Sequence, residues 1–93
     1  MQLRDNYKVE YIATATTTQV DTGMGQLIAI VVGETAAGAI SIIDNTSGST
    51  VNIGTLKASV VEGTYWFLTN YATGLRIITA GASKISVIYN PVT

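Results

Sequence analysis

The chain has 93 residues and a formal net charge of −1, from five basic and six acidic side chains, with no histidine and no cysteine. That length suits one domain. The two missing residue types exclude disulfide scaffolds, thiolate chemistry and histidine-based catalysis, and the scattered Arg4, Lys8, Lys57, Arg76 and Lys84 form no cluster that would follow a nucleic-acid backbone.

Residues 1–6 are polar and read as an arm that orders on contact, ahead of a single domain over residues 7–93. Residues 1–11 lack the apolar stretch of a signal peptide. The longest apolar run, Leu27 to Val32, is too short to span a bilayer, so no membrane partner is expected. Tyr7 to Ala15 alternates, with Tyr7, Val9 and Tyr11 on one side and Lys8 and Glu10 on the other. Gln26 to Val32 is apolar on both faces. Ala39 to Asp44 puts Ile40 and Ile42 inward, and Thr50 to Ile53 puts Val51 and Ile53 together. Lys57 to Val61 reads as a further strand. Thr64 to Asn70 carries Tyr65, Trp66, Phe67 and Leu68 and is again apolar on both faces, with Tyr65 and Phe67 toward the core and Trp66 away from it. Leu75 to Ala80 separates Leu75 and Ile77 from Arg76 and Ile78, and Lys84 to Tyr89 groups Ile85, Val87 and Tyr89 with Ser86 outward. The last two runs flank Gly81 to Ser83 and read as a hairpin. Short strands separated by Gly- and Asn-rich breaks, with no sustained helical period, predict an all-β antiparallel sandwich, jelly-roll-like, of about eight strands.

The doubly apolar run carries the functional expectation. Strict alternation puts Leu27, Ala29 and Val31 on one face and Ile28, Ile30 and Val32 on the other. One set enters the core. The other needs a cover, either a second subunit or a loop. Charged residues are only 12% of the chain, about half the share of an average soluble domain, which favours a subunit. The expected interface is therefore either Leu27, Ala29 and Val31 or Ile28, Ile30 and Val32, whichever set faces away from the core, together with Trp66, and the face bearing Arg76 and Ile78 is a further place to look for a neighbour.

Chemistry is sparse. Four of the acids, Asp21, Glu34, Asp44 and Glu62, sit beside turn residues and read as solvated turn formers rather than a catalytic pair. Asp44-Asn45-Thr46-Ser47-Gly48 lacks the alternating acids of a calcium loop and reads as an Asx-type turn. No glycine cluster forms a phosphate-binding loop. Neither enzyme activity nor a cofactor is expected.

The Gly-Gln-Leu-Ile-Ala-Ile run from Gly25, the Ile-Ser-Ile-Ile-Asp-Asn-Thr-Ser-Gly segment from Ile40 and the closing Thr-Gly-Leu-Arg-Ile-Ile-Thr-Ala-Gly-Ala-Ser-Lys-Ile-Ser-Val-Ile-Tyr segment from Thr73 resemble small β-sandwich structural proteins of tailed bacteriophage virions. These are head decoration proteins and the bases of head fibres, and the likeness covers roughly residues 9–90. The resemblance implies a multi-copy subunit in the virion, with a trimer favoured, bound to the major capsid protein or another virion protein. The chain ends soon after its last strand, so a compact decoration subunit fits better than a complete fibre. A carbohydrate- or receptor-binding module and a tail or baseplate component are the competing readings.

Overall fold

Eight strands form two antiparallel four-stranded sheets. They are β1 (Lys8–Ile12), β2 (Thr16–Thr22), β3 (Gly25–Glu34), β4 (Ile40–Asp44), β5 (Gly54–Leu56), β6 (Gly63–Tyr71), β7 (Gly74–Thr79) and β8 (Lys84–Pro91). The computed structural model describes residues 7–92, so the expected arm over residues 1–6 lies outside the described residues. Sheet A has the order β1-β8-β3-β6 and sheet B the order β2-β7-β4-β5. The chain changes sheet at every connection except that between β4 and β5.

The core lies between the sheets. Sheet A contributes Ile12, Leu27, Ile30, Val32, Ile85, Val87 and Tyr89, and sheet B contributes Ile40, Ile42, Leu75 and Ile77. Tyr65 and Phe67 pack against this cluster, as their alternation predicts, while Trp66 points away. Burying each such side chain contributes on the order of 1.5–3 kcal/mol. Among the described residues, Thr79 and Ser83 are the buried polar ones, and Thr79 is tied into the sandwich by its side chain. Its hydroxyl donates to the Thr14 carbonyl at 2.6 Å and accepts from the Thr16 amide at 3.1 Å, tying the β1–β2 connection to β7.

Four sequence expectations need correction. First, the segment from Leu75 to Tyr89 is no hairpin: β7 pairs with β2 and β4, whereas β8 pairs with β1 and β3. The small residues between them allow a crossing between sheets. A Cβ on Gly38, in the β3–β4 crossing, would sit 2.6 Å from the Ala80 carbonyl carbon and would also meet the Gly81 nitrogen. The two crossings therefore touch backbone to backbone, which only glycine permits.

Second, β2 has a single large apolar residue, Val20, and so lacks the hydrophobic alternation that marks a strand. Its β-branched threonines favour extended backbone, and it forms the polar edge of sheet B. Third, neither Thr50 to Ile53 nor Lys57 to Val61 is a strand, and the short β5 lies between them. The Asn52 amide accepts from the Asp44 N–H at 2.6 Å and donates to the Asp44 carbonyl at 3.1 Å, taking the place of a strand residue. Ser59 has a φ of 56°, which is incompatible with an extended run.

Fourth, strict alternation fails along β3. Against β8, Leu27 pairs with Tyr89 and Ala29 with Ile88, leaving Ile28 as an extra residue. This bulge turns Leu27, Ile30 and Val32 to the core and leaves Ile28, Ala29 and Val31 on the outer face. The two expected face sets are thereby mixed.

Candidate functional site

The outer face of sheet A is the outstanding surface of the molecule. Cross-strand register aligns Val9, Ile88, Ala29 and Trp66 in one row across all four strands. Ala29 lies between its larger partners and has no exposed surface. A second row holds Tyr11, Ser86, Val31 and Thr64. The bulge residues Ile28 and Leu68 lie beside the first row. Tyr7, Val9, Tyr11, Trp66 and Leu68 are 41, 56, 60, 69 and 63% exposed. With about 150–250 Å² in a whole aromatic side chain, those five side chains offer roughly 500–600 Å² to solvent, at or above the largest patch of an ordinary monomer.

The relief of the face is uneven. The exposed side chains stand at its two edge strands, β1 and β6. Between them is a dip of about 250 Å³ lined by Tyr7, Ile28, Trp66 and Ile88. Polar groups border the apolar band. Gln26, Asn70 and Asn90 form an amide row on one side. On the other side, beyond Ser86 and Thr64, Lys84 and Glu34 pair at 2.9 Å and neutralise each other. The Glu34 carboxylate, by hydrogen bond and by charge, raises the Lys84 ammonium above its ordinary value.

Leu68 stands out in backbone terms. Its φ is 50°, in the left-handed region, where a leucine costs about 1–2 kcal/mol. The bulge sets Phe67 and Leu68 of β6 opposite Ile28 of β3, with Phe67 packed on the core and Leu68 held at the surface.

A cleft of about 550 Å³ opens at the end of the sandwich, with Gln26, Asp44, Asn70, Tyr71 and Asn90 in its lining. Two of its polar groups, Asp44 and Tyr71, serve the fold. The Asp44 carboxylate accepts from the amides of Ala72, Thr73 and Gly74 at 2.9, 2.8 and 3.2 Å, fixing the β6–β7 turn. Partial burial works to raise the Asp44 carboxyl, but these three bonds outweigh it and hold the group below its ordinary value. The Tyr71 hydroxyl donates to Asp21 at 2.6 Å. Burial first, and then this bond and the Asp21 charge, push the Tyr71 phenol far above its ordinary value. Burial also raises Tyr89, with Asp21 and Glu10 adding to it. Among the described residues, no three acidic, histidine or cysteine side chains gather where a metal ion would sit.

The expected interface residues thus separate. Ile28, Ala29, Val31 and Trp66 share the outer face of sheet A, whereas Leu27, Ile30 and Val32 lie in the core. Arg76 and Ile78 are on the outer face of sheet B, where Ile78 is half-buried and Arg76 is engaged within the chain. Its guanidinium donates to the Gly48 carbonyl at 2.9 Å and to the Gln19 side-chain oxygen at 2.8 Å. Sequence reasoning named Tyr7, Val9 and Tyr11 as one side of a strand without assigning them to the surface. It placed Leu68 in a strand apolar on both faces without assigning it to the interface, and it missed Ile88. Only the cross-strand register joins all of these residues to Trp66.

Comparison of the chain with family models, with curated proteins and with solved structures finds no match.

Proposed function

We propose that this protein is a non-enzymatic structural subunit that self-associates and decorates or cements a bacteriophage capsid. The observation that carries the reading is the broad apolar outer face of sheet A, on a chain with few charges to keep such a face in water. The strand orders β1-β8-β3-β6 and β2-β7-β4-β5, with one within-sheet connection, support a jelly-roll topology, an arrangement used by viral capsid subunits and by lectins alike. The assignment to a virion rests on the sequence resemblance. Burial of apolar area at subunit joints, repeated over many copies, is the mechanism by which such a subunit reinforces a shell.

Light scattering after size exclusion tests self-association. Mass rising with concentration supports the reading, and a monomer at every concentration overturns it. Cryo-microscopy of phage particles carrying the chain tests its location. An ordered position on the head supports decoration, and an ordered position only in the tail moves the reading to a tail or baseplate component.

A carbohydrate-binding module is the second reading. It is favoured by exposed Trp66 and Tyr7 on the same face as the Gln26, Asn70 and Asn90 amides. Glycan binding that disappears in Trp66→Ala, in a protein that stays monomeric, would replace the structural reading with this one.

A further inference from the structure

We propose that two copies of this chain pack outer face of sheet A against outer face of sheet A about a two-fold axis, each inserting Trp66 into the partner's dip beside Tyr7, Ile28 and Ile88. The inference rests on the self-association reading and specifies its geometry.

Three observations select a second copy as the occupant. The first is shape. Trp66 is the most exposed aromatic side chain among the described residues, and it borders the dip that would receive it. The dip, at about 250 Å³, is large enough for an indole ring. A projection and a recess side by side on one face satisfy each other when a second copy is turned over about an axis between them. That is the isologous arrangement, in which the same patch serves both partners. A head-to-tail ring, including the trimer that the resemblance implies, would need projection and recess on different parts of the surface.

The second observation is charge. Lys84 and Glu34 already neutralise each other at the end of the face, and among the described residues its other outward groups are apolar, hydroxyl or amide side chains. A strongly charged partner would find nothing there to pair with. A second copy brings the same neutral surface and loses no charge solvation on contact.

The third is area. The roughly 500–600 Å² offered by the five most exposed side chains approaches the roughly 800 Å² per partner of a standard interface, and the bordering amides and hydroxyls supply a rim.

Trp66 is the only tryptophan in the chain, so its fluorescence reports this contact alone. Purified protein is diluted through the association range while mass is read by light scattering and emission by fluorescence. The expected result is a dimer whose emission shifts to shorter wavelength as it forms. Trp66→Ala should raise the dimer dissociation constant at least about thirtyfold, as a central hot spot does. Ile28→Lys leaves Trp66 in place but puts a charge in the dip, and should abolish both the dimer and the shift. Circular dichroism and urea unfolding check that each variant folds. If the Ile28 variant does not fold, Val9→Lys, at an exposed edge of the same row, takes its place. A monomer at every concentration overturns both this inference and self-association. A dimer with emission unchanged, a dimer that survives Trp66→Ala, or a trimer overturns the two-fold contact alone and leaves self-association standing.

Discussion

Each sheet carries an isoleucine on the outer face of a central strand, yet only in sheet A does that position reach solvent. In sheet B, Ile43 projects outward next to Arg76 in register and has no exposed surface. The β4–β5 loop folds back over this side of the sheet. Asn52 holds it to Asp44, Arg76 reaches the Gly48 carbonyl, and the Gln19 amide donates to Asn45 at 2.9 Å and to Leu75 at 3.2 Å. In sheet A, Ile88 and Ile28 hold the equivalent outward positions, and their face stays partly open. An outward isoleucine is therefore not by itself a sign of a binding surface. What matters is whether the chain supplies its own lid.

The sharpest test of that contrast replaces the two outward isoleucines in turn. Ile43→Ala removes a fully buried side chain and should cost about 2–5 kcal/mol of stability, because the clasped loop limits how far the cavity can collapse. Ile88→Ala removes a half-buried one and should cost roughly 1 kcal/mol in the monomer, with its main effect on association. Urea unfolding measured well below the association range gives both values. Equal costs would mean that the two faces are equally covered, which would remove the basis for treating sheet A as the interface.

Asp44 holds the loop that closes sheet B through its backbone N–H and carbonyl, whereas its carboxylate fixes the β6–β7 turn, so removing the carboxylate should have a smaller effect. Asp44→Ala leaves the amides of Ala72, Thr73 and Gly74 to water and should cost about 1–2 kcal/mol. The pH dependence follows from the direction of its shift. The folded carboxyl lies below the ordinary value of 3.8, so its contribution is complete above that value. It is lost as pH falls through the lower folded value. Between pH 5 and pH 2 the wild-type protein should lose stability by a margin that Asp44→Ala does not show. Parallel curves for the two proteins would mean that the three bonds contribute nothing net.

Much of this contrast was legible in the residues, within limits that are physical. The inward sets Ile40 and Ile42, Leu75 and Ile77, and Ile85, Val87 and Tyr89 follow from period-two alternation, and so does the outward turn of Trp66. Alternation is a local signal. It cannot register the extra residue at Ile28, because a bulge is defined only against the neighbouring strand. For the same reason the row from Val9 to Trp66 was invisible: its members lie far apart in sequence and meet through pairing alone. The lid over Ile43 escaped as well. Nothing in Asn45 to Ile53 distinguishes a loop that folds back from one that projects, since the decision rests on Arg76 and Gln19 in other strands. The missed β2 teaches a related point. Its threonines are held by backbone pairing to β7, with little apolar burial to mark them.

Leu68 gives the smallest and most diagnostic effect, because its two contributions should have opposite signs. Its φ of 50° suits asparagine better than leucine, and its side chain is largely in solvent in the single chain. Leu68→Asn should therefore raise monomer stability, by up to about 1 kcal/mol, since the strain falls and little buried area is lost. The same change removes an apolar side chain from the open face and should weaken self-association severalfold. A gain in the urea midpoint together with a weaker dimer would mean that the chain tolerates local strain to keep an apolar group at the surface. A drop in monomer stability would instead make Leu68 a structural part of the bulge. A gain with association unchanged would place the contact away from this edge of β6, toward β1. In either case the difference between the two outer faces would rest on the lid of sheet B alone.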